Sequence, residues 1–134
     1  ESRRILHRGK NCIVIMNIYP YNNGHLMIAP PRHISRMSDL GNEEKLEIMD
    51  LLTEWTAIIT RALNCHGFNI GLNVGRIAGA GIDDHMHCHI VPRWNGDTNF
   101  MPVMTDIKVI PQSLDDCFEI LKKTKMEMED EWGK

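Results

Sequence analysis

Three of the seven histidines stand at every second position in the stretch His85-Met86-His87-Cys88-His89-Ile90-Val91. Successive side chains of an extended strand point to opposite faces, so His85, His87 and His89 share one face while Met86, Cys88 and Ile90 pack on the other. Same-face neighbours lie about 6.6 Å apart in an ideal strand, which suits one extended ligand touched by several rings. A core strand does not carry three imidazoles by accident, because each buried ring nitrogen needs a partner. Two chemistries compete. Alternating imidazoles are good metal ligands, although no Asp or Glu stands in this strand to complete a mixed ligand set. The other is nucleophilic: a neutral imidazole attacks phosphorus and a neighbouring histidine assists the leaving group. The upstream loop from Gly75 to Asp84, with Gly75, Gly79 and Gly81, can then supply backbone N–H groups to phosphate oxygens.

The elements that must position these residues can be read from pattern. Ile5-Leu6 is a short apolar pair, followed by the turn Arg8-Gly9-Lys10-Asn11. The β-branched run Cys12–Met16 predicts a buried strand, Tyr19–Gly24 a loop, and His25–Ala29 a second strand stopped by Pro30-Pro31. The short connection makes these two strands an antiparallel pair. Residues Glu43–Cys65 carry Leu46, Met49, Leu52, Trp55, Ile59 and Leu63 at helical spacing, with Asn42 as expected N-cap and Gly67 as the stop. An alternating strand is expected over Phe68–Val74 and another over His85–Val91, closed by Pro92. A last helix starts at Ser113, with Asp116 at the capping-box position and Leu114, Cys117 and Leu121 as its stripe. The charged segment Lys122–Lys134 is expected to be solvated. Strands, helix, strands, helix describe an α+β domain with a mainly antiparallel sheet.

Composition sets the outer bounds. A chain of 134 residues, 43% hydrophobic and 25% charged, is long enough to bury a core as a single domain spanning 1–134. A net charge of −3 argues against a nucleic-acid coat or a membrane-surface binder. No apolar run approaches the roughly 18 residues of a membrane span, and no signal-peptide pattern is read. Cys12, Cys65, Cys88 and Cys117 lie far apart with no C-x-x-C pair, so reduced, buried thiols in a cytoplasmic protein are expected. The chain begins at Glu1 rather than Met, and an N-terminal piece is expected to precede it.

The histidine strand matches the His-φ-His-φ-His-φ-φ signature of the histidine-triad (HIT) nucleotide-binding superfamily, φ being apolar. Asn17 followed by Asn23-Gly24-His25-Leu26-Met27-Ile28-Ala29-Pro30 resembles that family's upstream segment, and Asn73 resembles its polar phosphate contact twelve residues before the triad. The stretch Pro92–Pro102, continued by Lys108-Val109-Ile110-Pro111, resembles a prokaryotic branch near diadenosine polyphosphate phosphorylases and hydrolases. Members of that branch often carry an N-terminal Cys-pair segment that this sequence lacks, which leaves a structural zinc of a longer protein open.

The resemblance implies a HIT-like fold with a five-stranded, mainly antiparallel sheet, two main helices and a homodimer. It implies His87 as the nucleophile toward an α-phosphorus, giving a nucleotidyl-histidine, with the proton on its other nitrogen fixed by the backbone carbonyl of His85. His89 would donate to a phosphate oxygen or the leaving group, and His85 and His25 would complete the imidazole cluster. Asn17 would contact the ribose, Ile15 and Met27 would wall the base or ribose, and Asn73 would contact phosphate. Gly79, Ala80, Gly81 and Ile82 would present amides, and Asp97 and Asn99 would shape the distal phosphate site or form a turn. His7, His33 and His66 are expected to be surface or packing residues. The implied substrate is a dinucleoside polyphosphate or related AMP-containing nucleotide. No cofactor is expected to be tightly bound, Mg²⁺ arriving with the polyphosphate. A non-catalytic nucleotide-binding module and a metal-binding protein stay open beside this reading.

Overall fold

The computed structural model describes residues 4–20, 22–78, 85–97 and 113–133. Five strands form one sheet: β1 (Ile5–Arg8), β2 (Ile13–Met16), β3 (Leu26–Ala29), β4 (Gly67–Leu72) and β5 (Cys88–Arg93). Their order is β1-β2-β3-β5-β4, and every pairing is antiparallel. Helices α1 (Asn42–Leu63) and α2 (Leu114–Glu131) cover one face. The α+β class, the five-stranded antiparallel sheet and the two main helices agree with expectation.

Alternation on each strand separates core from site. Val14, Met16, Leu26, Ile28, Cys88 and Ile90 point into a cluster with Leu51, Trp55, Ile58 and Ile59 of α1 and Cys117 and Leu121 of α2. Residues of opposite parity face away from the helices. On that open face Ile15 pairs with Met27, Met27 with His89, and His89 with Gly71, in one row across four strands.

Several boundaries depart from the sequence reading. Helix α1 is capped one residue earlier than Asn42, at Gly41, whose N–H donates to the Glu44 carboxylate at 2.7 Å. Glycine has no side chain to return the bond, so half of a capping box suffices here. The helix stops at Asn64, which takes the left-handed conformation at φ 53° that asparagine tolerates better than most residues. Gly67 is thereby free to open β4. Leu46 and Met49 are not on the buried stripe: they are 64% and 60% exposed, while Leu51 and Ile58 are buried in their stead. The segment 122–131 is not a solvated tail. It continues α2 and buries Thr124 and Met128, and Arg61 of α1 holds Glu131 through two bonds of 2.7 and 2.9 Å.

Strand β5 begins at Cys88, later than expected, and runs through Pro92 to Arg93. Proline is tolerated there because of the sides on which its neighbours bond. The Arg93 carbonyl accepts from His66 N–H on the β4 side at 2.8 Å. The Pro92 carbonyl accepts instead from the Asn22 side chain at 3.0 Å, so the proline's own nitrogen faces away from the β4 ladder. The β3 ladder has ended by then, at Leu26 opposite Ile90.

Candidate active site

His85, His87 and His89 are half-buried, while Met86 and Cys88 between them and Ile90 after them are buried. Only His89 lies within the strand proper, and His85 to His87 precede it outside the ladder. The His85 and His87 ring centroids are 5.2 Å apart, and those of His87 and His89 6.4 Å. Both spacings fall below the roughly 6.6 Å repeat of an ideal strand.

His25 joins from the neighbouring strand side. It immediately precedes β3, is 1% exposed, and places Nε2 at 2.9 Å from His89 Nδ1. A bond between two imidazoles requires a proton on one nitrogen and a lone pair on the other. Burial pushes His89 below its ordinary value of 6.5, toward the neutral imidazole. Asn17 lies beside it, its Nδ2 at 3.3 and 3.4 Å from the two nitrogens of His25. Its Oδ1 accepts from Tyr19 N–H at 2.9 Å, which orients the amide so that the NH₂ group faces the ring. Gly24 turns the chain into this position with φ +82°, and a Cβ there would meet Leu63 Cδ1 at 2.6 Å.

Ile15 and Met27 are half-buried in the row that contains His89. Asn73 is exposed, one residue beyond the Leu72–Cys88 pair, so continued register sets it across from His87. Asp97 is built into the turn after β5. It accepts from Arg93 Nε at 2.8 Å and Nη2 at 2.5 Å, from Trp94 N–H at 3.0 Å and from Asn22 Nδ2 at 3.2 Å. The Arg93 guanidinium, aided by the Trp94 amide, holds the Asp97 carboxyl down at about 2. Arg93 also donates to Asn69 of β4 at 2.6 Å. Gly79, Ala80, Gly81, Ile82 and Asn99 lie outside the described residues. Among the described residues no group of three or more His, Cys, Asp and Glu is placed to hold a metal ion.

One neighbour of the cluster was not singled out in the sequence. The His33 ring is 5.6 Å from that of His85, so the rings run without a gap from His33 through His85, His87 and His89 to His25. No local pattern announces His33, because its contact spans fifty-two positions and depends on where the chain goes after Pro30-Pro31. Taken together the face offers a central imidazole flanked by others, with burial favouring the neutral form of His89: a set able to attack an electrophile and to hand on a proton.

The AP-4-A phosphorylase of Mycobacterium tuberculosis is 42% identical over 121 residues, which are 90% of this chain and 62% of that protein. The chain thus spans less than two thirds of that relative's length. An asymmetrical bis(5'-nucleosyl)-tetraphosphatase of Schizosaccharomyces pombe is 28% identical over 94 residues, covering 70% of this chain and 51% of that one. In structure, a hypothetical histidine triad nucleotide-binding protein of Sulfolobus tokodaii superposes with a TM-score of 0.77 at 21% identity, over 94% of this chain and 85% of that one. The model of the HIT domain family matches residues 1–96, through His25, all five strands and the whole triad, and the chain therefore belongs to the HIT domain family.

Proposed function

We propose that the protein transfers or hydrolyses nucleotidyl groups, acting at the α-phosphate of a dinucleoside polyphosphate or a related AMP-containing nucleotide. The observation that carries this is His87: a half-buried imidazole between two others on the sheet face opposite the core, one of them held by the buried His25. The 42% identity to an AP-4-A phosphorylase supports the substrate class.

In the first step a lone pair of His87 attacks the α-phosphorus. A P–N bond forms, the bond from that phosphorus to its bridging oxygen breaks, and the nucleoside polyphosphate leaves with a proton supplied through His89. In the second step water or inorganic phosphate attacks the same phosphorus, the P–N bond breaks to restore the His87 imidazole, and the proton of the attacking oxygen returns to His89. Asn17 serves the ribose and Ile15 and Met27 wall the nucleoside. Asn73 and the amides of Gly79, Ala80, Gly81 and Ile82 take the phosphates, with Asp97 and Asn99 bounding the distal end. Charge is met by these donors rather than by a resident metal, and Mg²⁺ enters as the polyphosphate's counterion. Four buried free thiols suit a reducing, cytoplasmic setting.

Diadenosine tetraphosphate as substrate tests the reading. ADP and ATP formed only when phosphate is added mark a phosphorylase, AMP and ATP without it a hydrolase. Binding of AMP with no turnover of either kind would instead establish a nucleotide-binding module.

We also propose a homodimer. β4 is an outer strand of the sheet and exposes Ile70 at 47%, and α1 exposes Leu46 and Met49. A second copy would cover this apolar surface and the open ladder together.

A further inference from the structure

The approach to the triad raises a mechanical question. His85 to His87 lie outside the ladder, so strand pairing does not set the course of this stretch. Among the described residues, His85 Nε2 is buried with no hydrogen-bond partner, so no bond at that atom fixes the ring of His85 either. The His85 ring also neighbours that of His33, at 5.6 Å between centroids and 56° between planes.

His33 is an exposed residue, yet both of its flanks are tied down. Arg32 donates from Nε and Nη2 to the two carboxylate oxygens of Glu44, each at 2.8 Å, and from Nη2 to the Asp39 carbonyl at 2.7 Å. On the other side Ile34 is buried, and its carbonyl accepts from Met86 N–H at 2.6 Å, beside His85 itself. Ile34, Met86 and Leu40 form a separate small apolar cluster under this crossing. The segment is therefore braced on α1 and on the triad strand at once, and the ring it presents is held against His85.

We infer that His33 is a positioning residue: its ring wedges His85, and through His85 sets the orientation of His87. The inference rests on the nucleotidyl-transfer reading and concerns the ring surface of His33, not its charge.

The test is a substitution series on the full chain. His33→Ala removes the wedge, His33→Asn keeps polarity without an aromatic ring, and His33→Phe keeps a flat ring without nitrogens. With diadenosine tetraphosphate as substrate, kcat should fall roughly three- to tenfold in the Ala and Asn variants, the range one ring–ring contact corresponds to. KM should stay within about twofold of the wild type, because the substrate is not touched. His33→Phe should recover most of the loss. Ring ¹H–¹⁵N signals of His85 and His87 should move in His33→Ala while those of His25 and His89 stay. Wild-type kcat in His33→Ala, a change confined to KM, or a Phe variant no better than Ala would overturn the inference, as would equal shifts in all four rings. If the wild type turns over no nucleotide, the functional reading fails, and the ring signals alone still decide whether His33 positions His85.

Discussion

His87 is the residue on which the proposed chemistry depends most. Replacing it by Asn keeps a polar side chain of modest size at a half-buried position, so fold and AMP binding should survive. Asn has no nucleophilic nitrogen, and turnover should drop by several orders of magnitude, as losing an obligatory nucleophile commonly does. His85→Asn should cost much less, because it removes ring contacts but no reacting atom. Labelled substrate trapped on His85 or His89 rather than His87 would refute this assignment. A second expectation concerns His89. Burial lowers its pKa, so its ring signals should titrate below 6.5 in the folded protein. As pH falls through 6.5 the unfolded chain takes up the proton first, so this residue's contribution to stability is lost below that value and kept above it. A ring that titrates at or above 6.5 would contradict the burial argument. The triad was legible in the sequence because alternation reports strand faces directly. That His25 would be almost wholly buried and bonded to His89 was not, since sixty-four positions separate the two and only the sheet order joins them. His33 left no trace for the same reason.

Among the elements, the turn into β3 and the turn out of β5 bear most directly on the site. Gly24→Ala should destabilise by at least about 1–2 kcal/mol, from the left-handed backbone alone. The added Cβ would also meet Leu63 and Pro92, at 2.6 and 3.2 Å. Chemical denaturation measures the loss, and a neutral outcome would mean that the turn relaxes freely. The turn after β5 is pinned by Asp97, whose carboxyl lies at about 2 instead of 3.8. A depressed carboxylate stabilises above its ordinary pKa, and that stability disappears as pH falls from near 4 toward 2. Glu44, held at about 2 by Arg32 and the Gly41 amide, has the same sign. Asp97→Asn should therefore lower stability at neutral pH and flatten the acid limb, read as the urea midpoint against pH. A limb as steep as the wild type's would remove Asp97 from this account. The elements themselves were largely readable, their ends less so. Helical spacing found α1 but admitted Leu46 and Met49 to its stripe, because period alone does not say how wide a face the sheet covers. Pro92 was read as a terminator, since nothing local shows that Asn22 would take the carbonyl beside its missing N–H.

For the molecule as a whole, burial and assembly make the testable statements. All four cysteines are free and buried. Burial, with Glu47 and Glu44 nearby, pushes Cys12 up to about 12, and burial pushes Cys117 to about 11. Native protein should thus show no fast-reacting thiol toward a disulfide reagent, and denatured protein four. A rapidly modified thiol in the native state would indicate that the core opens locally. For assembly, sedimentation at micromolar concentration should give a dimer, and Ile70→Glu on the outer strand should shift it toward monomer. A wild type that sediments only as monomer would discard the proposed pairing. The division of the sheet into a packed face and a chemical face has one more consequence, for folding fidelity. The two sets of β5 side chains interleave with period two, so a slip of one residue would drive His89 into the apolar interior and turn Cys88 and Ile90 out to solvent. Such a slipped species would lose its reagent and its oil in the same movement, so near-native but inactive molecules of this kind have no stable shape to occupy.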